Sequence, residues 1–152
     1  MTKIRITVDN LGAVQKALDQ YGAKAEKEIG SVLDAVGKSI INGVRKQMRS
    51  PKSGRVYKRG KRGRDHVASA PGEAPAVDTS FLINRSIYST KVSPLEFIVG
   101  SNIEYSAHLE FGTRPRDGHP GIRPRPSWTL EVFAHREKMN KLVEAAIRRA
   151  SQ

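Results

Sequence analysis

Cysteine is absent from the 152 residues. That excludes disulfides, Cys-ligated zinc and thiol chemistry, and it fits synthesis in a reducing compartment. Long apolar runs are missing as well. None approaches the roughly 20 residues of a membrane-spanning helix. The opening Met1-Thr2-Lys3-Ile4-Arg5 holds no apolar signal core. A protein that is soluble when made, with no membrane partner, is expected. Acidic residues are scarce: 15 Asp and Glu face 27 Lys and Arg, a net charge of +12. Such a charge attracts polyanions or acidic protein surfaces. The apolar fraction is only 38%, below the usual ~45–50%. The length fits one domain with a modest core, and much of the chain is left exposed or committed to partners.

Recognisable catalytic motifs are also wanting. The chain has no HExxH, P-loop, GxSxG or GxGxxG. His66, His108, His119 and His135 are scattered. His108 and Glu110 are two apart, so on a helix they point in different directions. Asp65-His66 lacks the convergent carboxylates that a metal-dependent nuclease needs. Ser69-Ala70-Pro71-Gly72-Glu73 offers no base to activate the serine and reads as a turn. The sequence therefore predicts no catalytic residue, no metal and no cofactor, and a protein that is not an enzyme.

What is present is periodicity. Ile4, Ile6 and Val8 alternate with Lys3, Arg5 and Thr7, which predicts a strand over Thr2–Val8. Asp9-Asn10 ends it and can cap a helix. From Leu11 to Met48 the apolar residues step by three or four: Leu11, Val14, Leu18, Tyr21, Ala25, Ile29, Val32, Val36, Ile40, Val44 and Met48. This is one long helix or two with a break near Gly22. Five glycines interrupt it, each costing about 1 kcal/mol relative to Ala, so packing must support it. Gly30 and Gly37 lie on nearly one face, either for close approach by another helix or subunit or as tolerated glycines.

Ser50–Ser80 has no usable period and carries Pro and Gly throughout, so it reads as a long loop, of a length that is usually functional or disordered. Thr79-Ser80 looks like a cap for a turn through Phe81, Leu82 and Ile83. Ser86–Val92 and Glu96–Ser101 read as a β-hairpin around Ser93-Pro94-Leu95. Tyr105–Phe111 suits one or two helical turns with Tyr105 and Leu109 inward. Gly112–Arg125 is a second loop. Pro126 suits a first helical position for a last helix running to about Ala150. Its stripe is Trp128, Val132, Met139, Leu142, Val143, Ala146, Ile147 and Ala150, widened by Phe133. The expected fold is one α+β domain over 1–152. A small antiparallel sheet packs on a long N-terminal and a C-terminal helix, with a flexible basic arm at about 49–78 and a second loop at about 112–125.

The cations concentrate in that arm. Arg45, Lys46, Arg49, Lys52, Arg55, Lys58, Arg59, Lys61, Arg62 and Arg64 precede the next acid, Asp65. The pattern fits contact with a DNA backbone, an assembly arm that orders on an acidic neighbour, or a solvated loop. Tyr57 is the arm's one aromatic, which argues against a base-stacking surface. Glu110 stands between Leu109 and Phe111 and before Gly112-Thr113. A carboxylate there is partly desolvated and calls for an Arg or a backbone N–H as partner. Arg114, Arg116 and Arg123 are near in sequence, and a structural salt bridge is favoured over catalysis.

Three segments then occur in order: His66-Val67-Ala68-Ser69-Ala70-Pro71-Gly72-Glu73-Ala74-Pro75-Ala76-Val77-Asp78-Thr79 leading to Phe81-Leu82 and Ser86-Ile87; Tyr105-Ser106-Ala107-His108-Leu109-Glu110-Phe111-Gly112-Thr113; and Arg123-Pro124-Arg125-Pro126-Ser127-Trp128. From about residue 10 to residue 150 the chain resembles the tailed-phage neck and tail-component family typified by gene product ten of phage HK97. Ser80 stands where that family often has Gly, and the loop from Gly112 to Pro124 is richer in Arg. The resemblance implies a non-enzymatic virion protein of the head–tail junction, made in the bacterial host cytoplasm. It implies a homo-oligomeric ring matching six- or twelve-fold neighbours, with other neck or tail proteins as partners. Arg45, Arg49, Arg55, Lys58, Arg59, Lys61, Arg62 and Arg64 would then face neighbouring subunits or channel DNA. Glu110, Phe111, Gly112, Thr113, Arg114, Arg123 and Trp128 would form a structural or interface motif.

Overall fold

The computed structural model describes residues 11–58, 63, 65–78, 80–118 and 120–152, without the side chains of Leu11, Gly12 and Val14. The strand expected over Thr2–Val8 lies outside the described residues, as does Thr79.

One continuous helix, α1, spans Leu11–Arg49, with no break at Gly22. At 1.5 Å per residue it is about 58 Å long. Its stripe is half-buried at Ile29 and buried at Val32, Val36, Ile40, Val44 and Met48, which form the centre of the core. Among the described residues, two two-stranded antiparallel sheets follow from separate segments. The first joins β1 (Val56–Tyr57) to β2 (His66–Val67). The second joins β3 (Ile87–Ser93) to β4 (Glu96–Ser101), with Ile87 opposite Ser101 and Lys91 opposite Phe97. Between the sheets, the short α2 (Phe81–Arg85) drives Ile83 into the core at 2% exposure. After β4 come α3 (Glu104–Phe111) and α4 (Trp128–Ala150). The architecture is α+β, as the sequence predicts, with the sheet divided into two hairpins.

β3 and β4 cross α1 with Phe97 and Val99 half-buried toward it. This approach accounts for two of the interrupting glycines. A Cβ at Gly30 would lie 2.5 Å from the carbonyl oxygen of Pro94, and one at Gly37 would overlap the Phe97 ring. They are close-approach positions, but the approaching element is this chain's own hairpin and not the helix or subunit expected there.

α4 runs antiparallel along α1. Ser39 Oγ meets His135 Nε2 at 2.9 Å, and Arg149 Nε donates to Glu28 at 3.0 Å. Ala146 is fully buried at the contact, and Ala150 nearly so. Met139, Leu142 and Val143 flank them. Val132, Phe133 and Ile147 are exposed at 48%, 65% and 41%, correcting the wide stripe expected for this helix. Along most of its length α4 packs chiefly against α1, so only a narrow face is covered.

Two further expectations change. Ser80 precedes α2 but makes no side-chain cap; it sits in the left-handed region at φ 62, the conformation for which Gly is best suited. Ser50–Ser80 is more than a loop: Gly54 N–H donates to Ala68 O and Ala68 N–H to Arg55 O, both at 3.0 Å, extending the β1–β2 pairing.

Candidate functional site

The described geometry centres on one knot of hydrogen bonds in which the three sequence segments meet. α3 delivers Glu110 to the start of α4. The first N–H groups of a helix have no partner within it and carry partial positive charge. Ser127, at the N-cap, does not cap with its own side chain. Glu110 takes that role from 17 residues away: its carboxylate accepts the N–H of Ser127 at 2.9 Å, of Trp128 at 3.2 Å and of Thr129 at 2.7 Å. Glu110 is only 7% exposed. Burial works to raise its pKa, but the bonds from Thr129, Ser127 and Trp128 more than offset it, so the carboxyl is held below its ordinary value. The partner is thus backbone N–H, one of the two partners expected, in place of the salt bridge to Arg that was favoured. Arg114, Arg116 and Arg123 are all exposed.

The loop after α3 is closed by its own bonds. Gly112 turns the chain at φ 76, where a Cβ would come 2.6 Å from Ile122 O. Thr113 N–H donates to Ile122 O, and Ile122 N–H returns to Thr113 Oγ1, both at 2.8 Å. Arg125 N–H donates to Leu109 O at 2.7 Å. This loop then binds the Pro71-Gly72-Glu73 turn: Gly72 N–H donates to Pro124 O at 2.9 Å and Arg125 Nε to Ser69 O at 3.2 Å.

Glu73 holds the base of the basic arm. It accepts Ser53 Oγ at 2.6 Å, Ser53 N–H at 3.2 Å and Ala70 N–H at 2.8 Å. The Ser53 hydroxyl, followed by the Ala70 and Ser53 amides, lowers its pKa. Beside it, burial lowers the pKa of Lys52, partly countered by the Glu73 charge. Lys52 Nζ donates to Gln47 O at 2.7 Å. Both carboxylates therefore face donors that fix loops in place. Nothing in the sequence singles out Glu73 beyond its place after Pro71-Gly72, because its main partner Ser53 lies 20 residues back.

The basic residues divide into three groups. Arg45, Lys46 and Arg49 lie on the last turns of α1, with Arg45 half-buried and the other two exposed. With Asn42 and Ser50 they border a shallow open depression. Arg55 is exposed, its guanidinium 5.4 Å above the Tyr57 ring, and Lys58 is exposed on the arm. Arg59, Lys61, Arg62 and Arg64 lie outside the described residues. Phe111 is 74% exposed, while Trp128 is half-buried against the core.

A half-open cleft of about 320 Å³ lies beside the knot, lined by Met48, Val77, Leu82, Tyr105 and Leu109 with His66 and Arg125 at polar positions. Tyr105 is 44% exposed there, short of the inward placement expected. His66 Nδ1 stands 3.9 Å from Asp78 Oδ1, so the histidine faces Asp78 across the arm, while its sequence neighbour Asp65 is exposed. Among the described residues, no group of three or more His, Asp or Glu is arranged to hold a metal ion, and no helix is long and apolar enough to cross a membrane.

No family model matches the chain. No curated protein and no solved structure matches it significantly.

Proposed function

We propose that this chain is a non-enzymatic structural protein of a tailed bacteriophage or prophage, acting at the head–tail junction as a homo-oligomeric ring between connector and tail proteins. The observation that carries this reading is the ordered trio of segments, Ala68–Asp78, Tyr105–Thr113 and Arg123–Trp128, now seen joined in one hydrogen-bonded knot. A motif set whose carboxylates fasten backbone amides serves shape. Rigid loops held at fixed positions are what a repeated contact between subunits requires, and a cyclic, heterologous interface closes a ring. The large exposed side chains Phe111, Phe133 and Leu18 add apolar surface for such contacts. Antibody labelling of tailed particles from cells that encode the chain tests the reading. Label at the junction of head and tail is expected; particles that carry no label there contradict it.

A second reading rests on the Arg45, Lys46 and Arg49 cluster, followed in sequence by the exposed Arg55 and Lys58. Such a surface suits a DNA backbone. The isolated protein would then bind duplex DNA with a steep salt dependence, and Arg45→Gln with Arg49→Gln would flatten the log–log slope by about 0.9 per lost contact. Weak binding that the two changes leave untouched dismisses it.

A further inference from the structure

The β3–β4 hairpin has two strands, and among the described residues no third strand joins it. A two-stranded sheet leaves a row of backbone N–H and C=O groups along each outer edge, and such groups call for partners. The two edges differ. β3 is guarded: it carries Lys91, and its pairing is irregular between Lys91 and Ser93, which bends a strand away from further pairing. In β4, Phe97-Ile98-Val99-Gly100-Ser101 has no charge and no proline, and its register is regular. Phe97 and Val99 turn toward α1 yet are only half-buried, while Ile98, on the other face, is 39% exposed. A regular, uncharged edge bordered by half-covered apolar side chains is a site for strand addition.

The sequence holds a strand to match. Thr2–Val8, outside the described residues, alternates Ile4, Ile6 and Val8 with Lys3, Arg5 and Thr7 and is followed closely by α1. With Ile4, Ile6 and Val8 set beside Phe97 and Val99, Lys3 and Arg5 fall on the face of the exposed Glu96.

Reach decides which copy supplies it. The carbonyl oxygen of Pro94, in the hairpin turn, faces Gly30 of α1, and the Phe97 ring faces Gly37. β4 therefore runs along α1 away from the helix start. Leu11 lies about 28 Å along the axis before Gly30. Fully extended, the chain from Leu11 back to Thr2 spans at most about 30–32 Å. Within one molecule only Thr2 comes level with the turn, and Val8 stays about 18 Å short of it. Pairing along Glu96–Ser101 is out of reach of the chain's own strand. The first turns of α1 carry that strand away from its own sheet.

We infer that Thr2–Val8 of one copy adds as a third strand to the outer edge of β4 in a second copy. Each copy then gives one strand and receives one, the head-to-tail pattern that closes a ring. The inference rests on the assembly reading above and names the contact through which assembly runs.

The chain has no cysteine, so introduced pairs report without interference. Ile98→Cys is combined in turn with Lys3→Cys, Arg5→Cys and Thr7→Cys, which samples the registers of that face. At a concentration where the parent assembles by light scattering, mild oxidation of the doubly substituted chains gives a ladder of disulfide-linked multimers in at least one register. Mixing the two single variants of that register gives a linked dimer with one chain of each kind. Deleting residues 2–8 keeps the thermal midpoint of the dilute monomer and raises the concentration for half-assembly at least tenfold. Doubly substituted chains that oxidise only to a closed single chain put the strand in its own molecule and overturn the inference. So does a deletion variant that assembles like the parent. If no register crosslinks while the substituted chains still assemble, the inference falls and the assembly reading survives. A parent chain that is monomeric at every concentration overturns both.

Discussion

Replacing Glu110 by Gln changes one atom of a buried side chain, and its effect follows from the knot. The carboxylate accepts three backbone N–H groups at the start of α4. A Gln oxygen can keep one or two of them, but its NH2 must face the remainder. The charge that met the helix N-terminus is lost, worth about 0.3–2 kcal/mol depending on burial. At least one charge-assisted bond of about 1.5–3 kcal/mol becomes a neutral bond of about 0.5–1.5 kcal/mol. Together these give a destabilisation of about 2–3 kcal/mol at pH 7, or a fall in Tm of about 4–12 °C for a chain of this size. The pH dependence adds a second check. Glu110 has a folded-state pKa below its ordinary value, so its contribution is fully present above the unfolded pKa of about 4.3. It is lost as the pH falls through the depressed folded value. Glu73 titrates in the same direction, so the informative quantity is the gap between parent and variant, which cancels Glu73. Urea unfolding from pH 7 downward measures it. The gap closes as the pH drops below the ordinary carboxylate range. A gap absent at pH 7, or constant through acid, refutes the capping role.

Gly37→Ala gains about 1 kcal/mol of helix propensity but drives a methyl into the Phe97 ring. A net loss of about 1–3 kcal/mol is expected in chemical denaturation, and Phe97→Leu in the same chain recovers part of it, a coupling that a double-mutant cycle reads. Ser80→Gly relieves a left-handed residue that costs about 1–2 kcal/mol. Part of this gain is offset by the entropy of a more flexible unfolded chain. The variant unfolds at higher denaturant, by about 0.5–1 kcal/mol, and Ser80→Val unfolds earlier. Ile83→Ala empties a site that is 2% exposed and costs about 2–5 kcal/mol by the same assay.

The parts of this structure readable from sequence are those fixed by local periodicity. Ile29 to Met48 repeat by three and four, and the core lies along that line. The alternation around Ser93-Pro94-Leu95 is long enough to mark the β3–β4 hairpin. β1 and β2 are two residues each, too short for a period to exist, so the pairing at the base of the arm was invisible. Periodicity also states which residues share a face without stating whether a neighbour covers it. Leu18 and Tyr21 share the stripe of Val32 and yet are exposed, as is Phe133 beside the stripe of α4. For Glu110, its neighbours Leu109 and Phe111 revealed that it is desolvated. Its partners come from a segment brought back by the loop closed through Thr113, Ile122 and Arg125, and no local pattern encodes that return.

The claim that this chain works by assembling is tested most directly by its mass in solution. Native mass spectrometry of the full-length protein across a range of concentrations should give a monomer at high dilution and one closed, cyclic species as concentration rises. A mass that stays at the 16.8 kDa of a single chain under every condition contradicts it.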